Sequence, residues 1–507
     1  MINFKKLVTP LFILYFLTAF LLGSSYIFKG SIRFDADIAR DFLLLNEISI
    51  KKIILIGPRA SAIPGVFHGP LWIYLNYPAY FFSNGNPVAI GWGWITLSIL
   101  FLISSYFLIK ELTSKKTATI YTMILSGFLI PWIHQLLNPF GALMLMPLII
   151  YLITKYQNSK KSLYFWAILL VLGCMIQFQM AVGVPITILV LMWLVNWMKK
   201  NSKFKDLYFL PLLLIPLISF ALFEFRHDFS QLKSVLNFIT SNSSAPHISL
   251  INRFAQRGTL VSESSISLFY DKFISLNIIF YLAIVWQRYT NFLKLNKEEK
   301  ELFNLTYFLY LGYFAISLMF NGFLLIYYWW PLVPLSFILT SIILSKIKHS
   351  NIIIIIILIS QLYHGFNYMQ NANQNIGRVE DDWLFQKNMT EKLFEGDENE
   401  FGYFIFTPDV YAYESKAAMT YMINQHPEKK AIRYKKEPVT YLILSPADKI
   451  RPDVNSYLWK DSRLNLHSTP SATIQYFDGY TIEKYYLNET EISKEPNSTI
   501  DDWIHFR

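Results

Sequence analysis

Three carboxylates and two guanidiniums are packed into Arg33-Phe34-Asp35-Ala36-Asp37-Ile38-Ala39-Arg40-Asp41, directly after an apolar stretch that ends at Phe28. On a helix beginning near Asp35, Asp37 and Asp41 lie four apart and Arg40 lies three beyond Asp37, so these side chains share a face. Asp35 falls at the N-terminal end, where the helix dipole favours negative charge. A carboxylate held in this way can take the proton of a hydroxyl while its neighbours set its basicity. The same spacing also suits the solvated face of a helix lying on a membrane, where each ion pair is worth only about 0.2–0.5 kcal/mol.

Other polar groups stand at intervals along an otherwise apolar chain. Arg40 and Arg59 share the first polar segment, and Arg253 and Arg257 are four apart in a later one, so each pair can meet an anion in a bidentate manner. Structural ion pairing, or contact with anionic lipid headgroups, is the alternative for each arginine. Gln177 and Gln179 can hydrogen-bond a sugar or tie membrane helices together. Tyr328, within Tyr327-Tyr328-Trp329-Trp330, can stack on a sugar or prenyl group or belong to an interfacial aromatic belt. His68 lies in Phe67-His68-Gly69-Pro70-Leu71, where a hydrogen-bonded structural role is the simplest reading, and Asn138 has the position of a helix cap. No cluster has metal-ligand spacing.

The elements that must position these residues are membrane helices. Of 507 residues, 53% are hydrophobic and 16% charged, and apolar runs of about 18 residues or more, long enough to cross a bilayer core, recur. Eleven spans are expected, at 7–28, 88–109, 117–137, 139–155, 162–178, 180–198, 206–224, 268–287, 302–321, 325–345 and 350–366. The first, Leu7 to Phe28, is too long for a typical signal peptide and reads as a retained helix. A lone cysteine, Cys174, excludes an intramolecular disulfide. The formal charge of +10 is concentrated in short loops, for example Lys110, Lys115 and Lys116, or Lys199, Lys200, Lys203 and Lys205. That pattern orients a membrane protein and argues against nucleic acid as a partner. Those loops and the N-terminus are expected in the cytoplasm, and residues 29–87, 225–267 and the tail from 367 outside.

The outer segment 29–87 is expected to hug the membrane, because Ile38, Phe42, Leu45 and Ile48 recur at helical spacing opposite the charges. A second surface helix is expected at Leu71-Trp72-Ile73-Tyr74. The tail changes character: strand-like runs at Gly402–Phe406, Val439–Leu444 and Thr473–Leu487, the last with an Asp478-Gly479 hairpin signal, accompany a helix over Glu414–Asn424. The organisation expected is a transmembrane module over 1–366 and a small extracytoplasmic α/β domain over 367–507.

An acidic motif after the first span, a Gly-Pro and His-Gly-Pro-Leu stretch before the second, many spans and an outer C-terminal domain together resemble the GT-C superfamily of membrane glycosyltransferases. The similarity is to the branch of the protein O-mannosyltransferases and the lipid A aminoarabinose transferase, which draw on polyprenyl-phosphate-sugar donors. It covers the topology of the whole chain, and at residue level it is concentrated between Asp35 and Asn138. That branch carries an Asp-Glu pair in its first outer loop, and Asp37-Ile38-Ala39-Arg40 matches that segment best. The resemblance thus implies Asp37 as the catalytic carboxylate, with Asp35 second. Ile38 stands where the glutamate is usual, leaving Asp41 or Asp35 to supply a second acid. It further implies pocket roles for His68 and Asn138, and the arginine pairs are candidates to bind the lipid phosphate of such a donor.

Some distant members hold a divalent cation at first-loop carboxylates, and Asp35 with Asp37 would offer oxygen ligands to Mg or Mn. The implied activity is inverting transfer of a hexosyl or pentosyl group from the lipid-linked donor to an extracytoplasmic acceptor, whether protein, lipid A or another glycan. Three other readings compete: a transporter or flippase of a lipid-linked or anionic substrate, a polysaccharide polymerase or ligase working through 225–267, and a non-catalytic scaffold. Scarce ionisable residues within the spans, and the lack of repeat-related halves, weigh against transport.

Overall fold

The computed structural model describes residues 4–61, 63–240, 248–265, 267–322, 324–409, 411–447, 452 and 454–497. In chain order its helices are α1 (Phe4–Phe28), α2 (Ala36–Lys51), α3 (Leu71–Phe82), α4 (Pro87–Leu112), α5 (Lys115–Leu129), α6 (Asn138–Ser159), α7 (Ser162–Phe178) and α8 (Met180–Lys200). There follow α9 (Ile218–Arg226), α10 (Ser230–Thr240), α11 (Leu250–Leu260), α12 (Asn277–Thr290), α13 (Lys297–Ser317), α14 (Val333–Lys346) and α15 (Ser350–Gln374). The tail adds α16 (Trp383–Glu391) and α17 (Tyr413–Gln425), with strands β1 (Glu400–Phe406), β2 (Lys430–Arg433), β3 (Val439–Leu444), β4 (Ala472–Gln475) and β5 (Thr481–Tyr486).

Among the described residues, six helical segments are long and apolar enough to cross a membrane: Pro10–Phe28, Pro87–Leu112, Asn138–Ser159, Met180–Lys200, Ile326–Lys346 and Ser350–Gln374. A seventh span results if Phe204–Leu214 and Ile218–Arg226, bent by 58°, count as one. The expected count of eleven is therefore not met by length and composition, although every expected span falls on helical structure. The shortfall has local causes. α5 and α7 have 15 and 17 residues, α12 has 14, and α13 opens with Lys297-Glu298-Glu299-Lys300-Glu301. The bent pair carries Pro211 and Pro216 near its break, and each proline removes a backbone donor.

By contacts the chain forms two units: Met1–Ser25, Ile53–Leu75 and Gly93–Gln370 in one, and Tyr26–Lys52, Asn76–Trp92 and Asn371–Arg507 in the other. In the first, α6 packs on α7, α7 on α8, α5 on α14, and α13 on both α8 and α14. Small residues allow these approaches: a Cβ on Gly141 would press into the ring of Phe178.

In the second unit the sheet order is β2-β1-β3-β5-β4, with β2, β1 and β3 parallel and β3, β5 and β4 antiparallel. Alternating side chains feed two cores. Phe401, Tyr403, Ile405 and Ile443 pack with Phe385 and Met389 of α16 and Met419 of α17. Phe404, Phe406, Leu442 and Leu444 pack with Leu464 and Leu466. The expected strands and helix fall close to those observed, and Asp478 takes φ 55° in the turn before β5. β2 has no counterpart among the expectations, because Lys430–Arg433 is too short to show alternation.

The apolar stripe of α2 corrects the membrane-hugging expectation. Ile38, Phe42, Leu45 and Ile48 are all buried within the second unit, where α2 packs on α17. Phe42 meets Phe34 and Tyr80, and Phe34 meets Trp383. An amphipathic stripe records only that one face is covered, and here protein covers it.

Candidate functional site

The acidic stretch folds as its spacing requires. Asp35 is the N-cap of α2, its Oδ1 accepting from the Ile38 backbone N–H at 3.2 Å. Its other oxygen accepts from Arg33 Nε at 3.2 Å, and Arg33 reaches on to Asp381 at 2.6 Å. Burial raises the Asp35 pKa, opposed by the cap hydrogen bond and by Arg33. One turn along, Arg40 Nη1 donates to Asp37 Oδ1 at 2.7 Å and Nη2 to Asp41 at 3.4 Å. Burial works against the Arg40 charge, but Asp37 and Asp41 outweigh it and its pKa lies above the ordinary value.

The three aspartates thereby take different roles. Asp35 is engaged by a cap and an arginine. The Asp41 side chain is 9% exposed, and burial, partly offset by Arg40, pushes its pKa up to about 7. The Asp37 side chain is 46% exposed, against 12% for its partner Arg40. The Asp35 side chain is 32% exposed beside Arg33 but also serves as the helix cap, whereas Asp37 is the most exposed of the three and accepts its hydrogen bond from a cation. Ile38, where the resembling family carries glutamate, is buried, so a second acid cannot come from that position. On α17, Glu414 is raised to about 8, first by burial and then by Asp409 and Asp35. Among the described residues, no three His, Cys, Asp or Glu side chains are arranged to hold a metal ion, so Asp35 and Asp37 have no third ligand of those types.

A residue that sequence reasoning passed over organises this region. Asp382 is fully buried and accepts from Tyr26 Oη at 2.6 Å, Ser31 Oγ at 2.5 Å, the Gly377 N–H at 2.6 Å and the Phe385 N–H at 3.0 Å. It caps α16 and, with the isolated antiparallel Arg33–Asp382 bridge, fastens the segment leading into α2. Its signal was present: Asp382 immediately precedes the apolar Trp383-Leu384-Phe385, as an N-cap should.

The first unit gathers a second set. Residues 57–69 double back, with Gly57 N–H on His68 O and His68 N–H on Pro58 O, both at 2.8 Å. The Gly69 N–H then donates to Gln177 O at 3.0 Å, at the C-terminal end of α7. Gly69 is required there, since a Cβ would lie 2.9 Å from the Gln177 Cα. Asn138 donates to Phe178 O at 2.8 Å, so it joins the α6 start to the same end of α7 rather than capping its own helix. Gln177 Nε2 bonds Pro216 O and Ser219 Oγ, while its Oε1 has no partner among the described residues. Gln179 is fully buried, with neither amide atom partnered among those residues. His68 is buried. Arg59 is exposed and makes no ion pair among the described residues.

Arg253 and Arg257 do not converge on an open site. Arg253 donates to Leu318 O at 2.6 Å, and Arg257 to Phe320 O at 3.2 Å and Gly322 O at 2.9 Å, so the pair covers carbonyls at and beyond the end of α13. Arg257 is fully buried and burial lowers its pKa. Tyr328 is buried, its carbonyl accepting from Tyr313 Oη at 3.1 Å. Residues 241–247, within the expected second outer loop, lie outside the described residues.

Multiple long apolar helices, a carboxylate-bearing helix after the first, and a small C-terminal sheet make up the fold of this chain. Solved structures of ArnT, the lipid A aminoarabinose transferase, from Cupriavidus metallidurans share it. The form bound to undecaprenyl phosphate matches with TM-score 0.62 and 11% identity over 94% of this chain and 97% of that one. The apo form matches with TM-score 0.61 and 10% identity over 95% and 98%. An oligosaccharyltransferase from Archaeoglobus fulgidus is matched more weakly, at TM-score 0.48. No protein-family model matches the chain, and no curated protein matches it in sequence.

Proposed function

We propose that this chain is an integral membrane glycosyltransferase that moves a sugar from a polyprenyl-phosphate donor to an acceptor on the extracytoplasmic side, with inversion. The observation that carries the reading is Asp37: an accessible carboxylate braced by Arg40, on a helix entered directly from the first span. The fold likeness to ArnT, one of whose structures is bound to undecaprenyl phosphate, supports a lipid-linked donor. The distribution of lysines and arginines between loops supports a cytoplasmic N-terminus and an outer C-terminal domain.

In the proposed reaction Asp37 accepts the proton of an acceptor hydroxyl as that oxygen bonds to the anomeric carbon. The bond from that carbon to the phosphate oxygen breaks, its electron pair leaves with the polyprenyl phosphate, and attack from the opposite face inverts the centre. Arg40, donating to Asp37 Oδ1 at 2.7 Å, orients that carboxylate. Arg59 is the proposed ligand of the departing phosphate, and Gln177 and Gln179 are proposed hydrogen-bonding partners of the sugar. Arg253 and Arg257, which donate to main-chain carbonyls, are left out of this assignment.

Replacing Asp37 by Asn tests the base. The purified variant is expected to bind polyprenyl-phosphate sugar as the wild type does and to lose transfer by about 10²–10⁴-fold. Full transfer activity would remove Asp37 from the mechanism.

A further inference from the structure

A cavity of about 740 Å³, large enough for a small-molecule ligand, lies in the first unit between α15 and the short helical turn Asp271–Leu276 that leads into α12. Its α15 wall is one helix face, and that face changes character along the axis: Ile356 and Ile359 give way to Ser360, His364 and Asn367. The facing turn shows the matching gradient in the opposite chain direction, from Tyr270 and Lys272 to Phe273 and Leu276. The Tyr270 and His364 rings stack in parallel, 4.0 Å between centroids and 3° between planes. Lys272 is exposed and has no ion pair among the described residues. α15 is one of the apolar helices long enough to span a bilayer.

We infer that this cavity is a binding site for one anionic phospholipid, its phosphodiester on Lys272 and its acyl chain along Ile356, Ile359 and Leu276. A polar end and an apolar end on both walls, graded in the same sense, fit an amphiphile and not a soluble anion. One cation among the lining residues matches the single negative charge of a phosphodiester. Ser360 and Asn367 supply hydrogen bonds to its ester and headgroup oxygens. Its lining includes none of the residues assigned to transfer, and the inference does not depend on that assignment.

Native mass spectrometry of the full chain in detergent, titrated separately with phosphatidylglycerol and phosphatidylcholine of the same acyl length, tests this. Phosphatidylglycerol should bind about fivefold more tightly, the effect expected of one lysine near an anionic headgroup. Lys272→Met should abolish that preference, and Ser360→Phe, which fills the cavity, should weaken both lipids. Asn367→Leu, at an exposed position, gives an independent variant should either of these fail to fold, and should reduce the preference. Equal binding of the two lipids by the wild type, or an unchanged preference in Lys272→Met and Asn367→Leu, would overturn the site. Displacement of phosphatidylglycerol by an equimolar polyprenyl phosphate would overturn the phospholipid as occupant.

Discussion

Removing the Asp382 carboxylate should loosen the second unit by an amount that follows from its four hydrogen bonds. Asp382→Ala deletes the N-cap of α16, worth about 1 kcal/mol. It also leaves Tyr26 Oη and Ser31 Oγ facing an apolar methyl, at about 1–3 kcal/mol for each group that stays buried without a partner. Rotation of the Ser31 hydroxyl and entry of water recover part of this, so a net loss of about 3 kcal/mol is expected. Native-state hydrogen exchange is the suitable assay, because it reads the opening of this region residue by residue. The Gly377 and Phe385 amides, which donate to Asp382, should exchange about 150-fold faster, since each 1.4 kcal/mol is a factor of about ten. Asp382→Asn keeps an acceptor for both amides and should show much less of the effect. Unchanged protection at these amides in the alanine variant would refute the claim that this carboxylate holds the unit together.

Three other outcomes follow from the geometry. Because the Asp41 pKa is raised from its ordinary value to about 7, the folded state binds the proton more tightly than the unfolded one. Stability is therefore lost as pH rises from about 4 through about 7, by up to roughly 4 kcal/mol, and Asp41→Asn should flatten that part of a thermal-midpoint profile against pH. Gly69→Ala should destabilise by at least about 2 kcal/mol, because the new methyl meets the Gln177 backbone; a variant with an unchanged thermal midpoint would count against the close approach. Gln179→Met removes an amide buried without partners among the described residues and should raise the midpoint, by about 1–2 kcal/mol in stability. The same variant should lower sugar transfer, and equal activity would release Gln179 from its proposed role.

Properties set by neighbours in sequence could be read from the chain. Apolar runs announced a polytopic membrane protein, the spacing of Asp35, Asp37, Arg40 and Asp41 announced a helix with a charged face, and the short β-branched, aromatic and apolar run Val439–Leu444 announced a strand of the tail domain. Each of these depends on residue composition or a helix period that acts over neighbours in the chain. The GT-C resemblance rested on the same local signals together with their order along the chain.

What only the tertiary structure decided were matters of long-range contact. Periodicity could establish that the Ile38 face of α2 is covered, but not that α17 covers it. Composition could place Arg253 and Arg257 beside one another, but not reveal that the carbonyls of Leu318, Phe320 and Gly322 already occupy them. The three aspartates are the same residue type within one short stretch, and what distinguishes them is solvent access and partners. A cap and Arg33 engage Asp35, burial raises Asp41, and exposure beside Arg40 leaves Asp37 as the proposed base. Ionisation and reactivity follow from desolvation and from charges brought close by folding, and these come from distant parts of the chain.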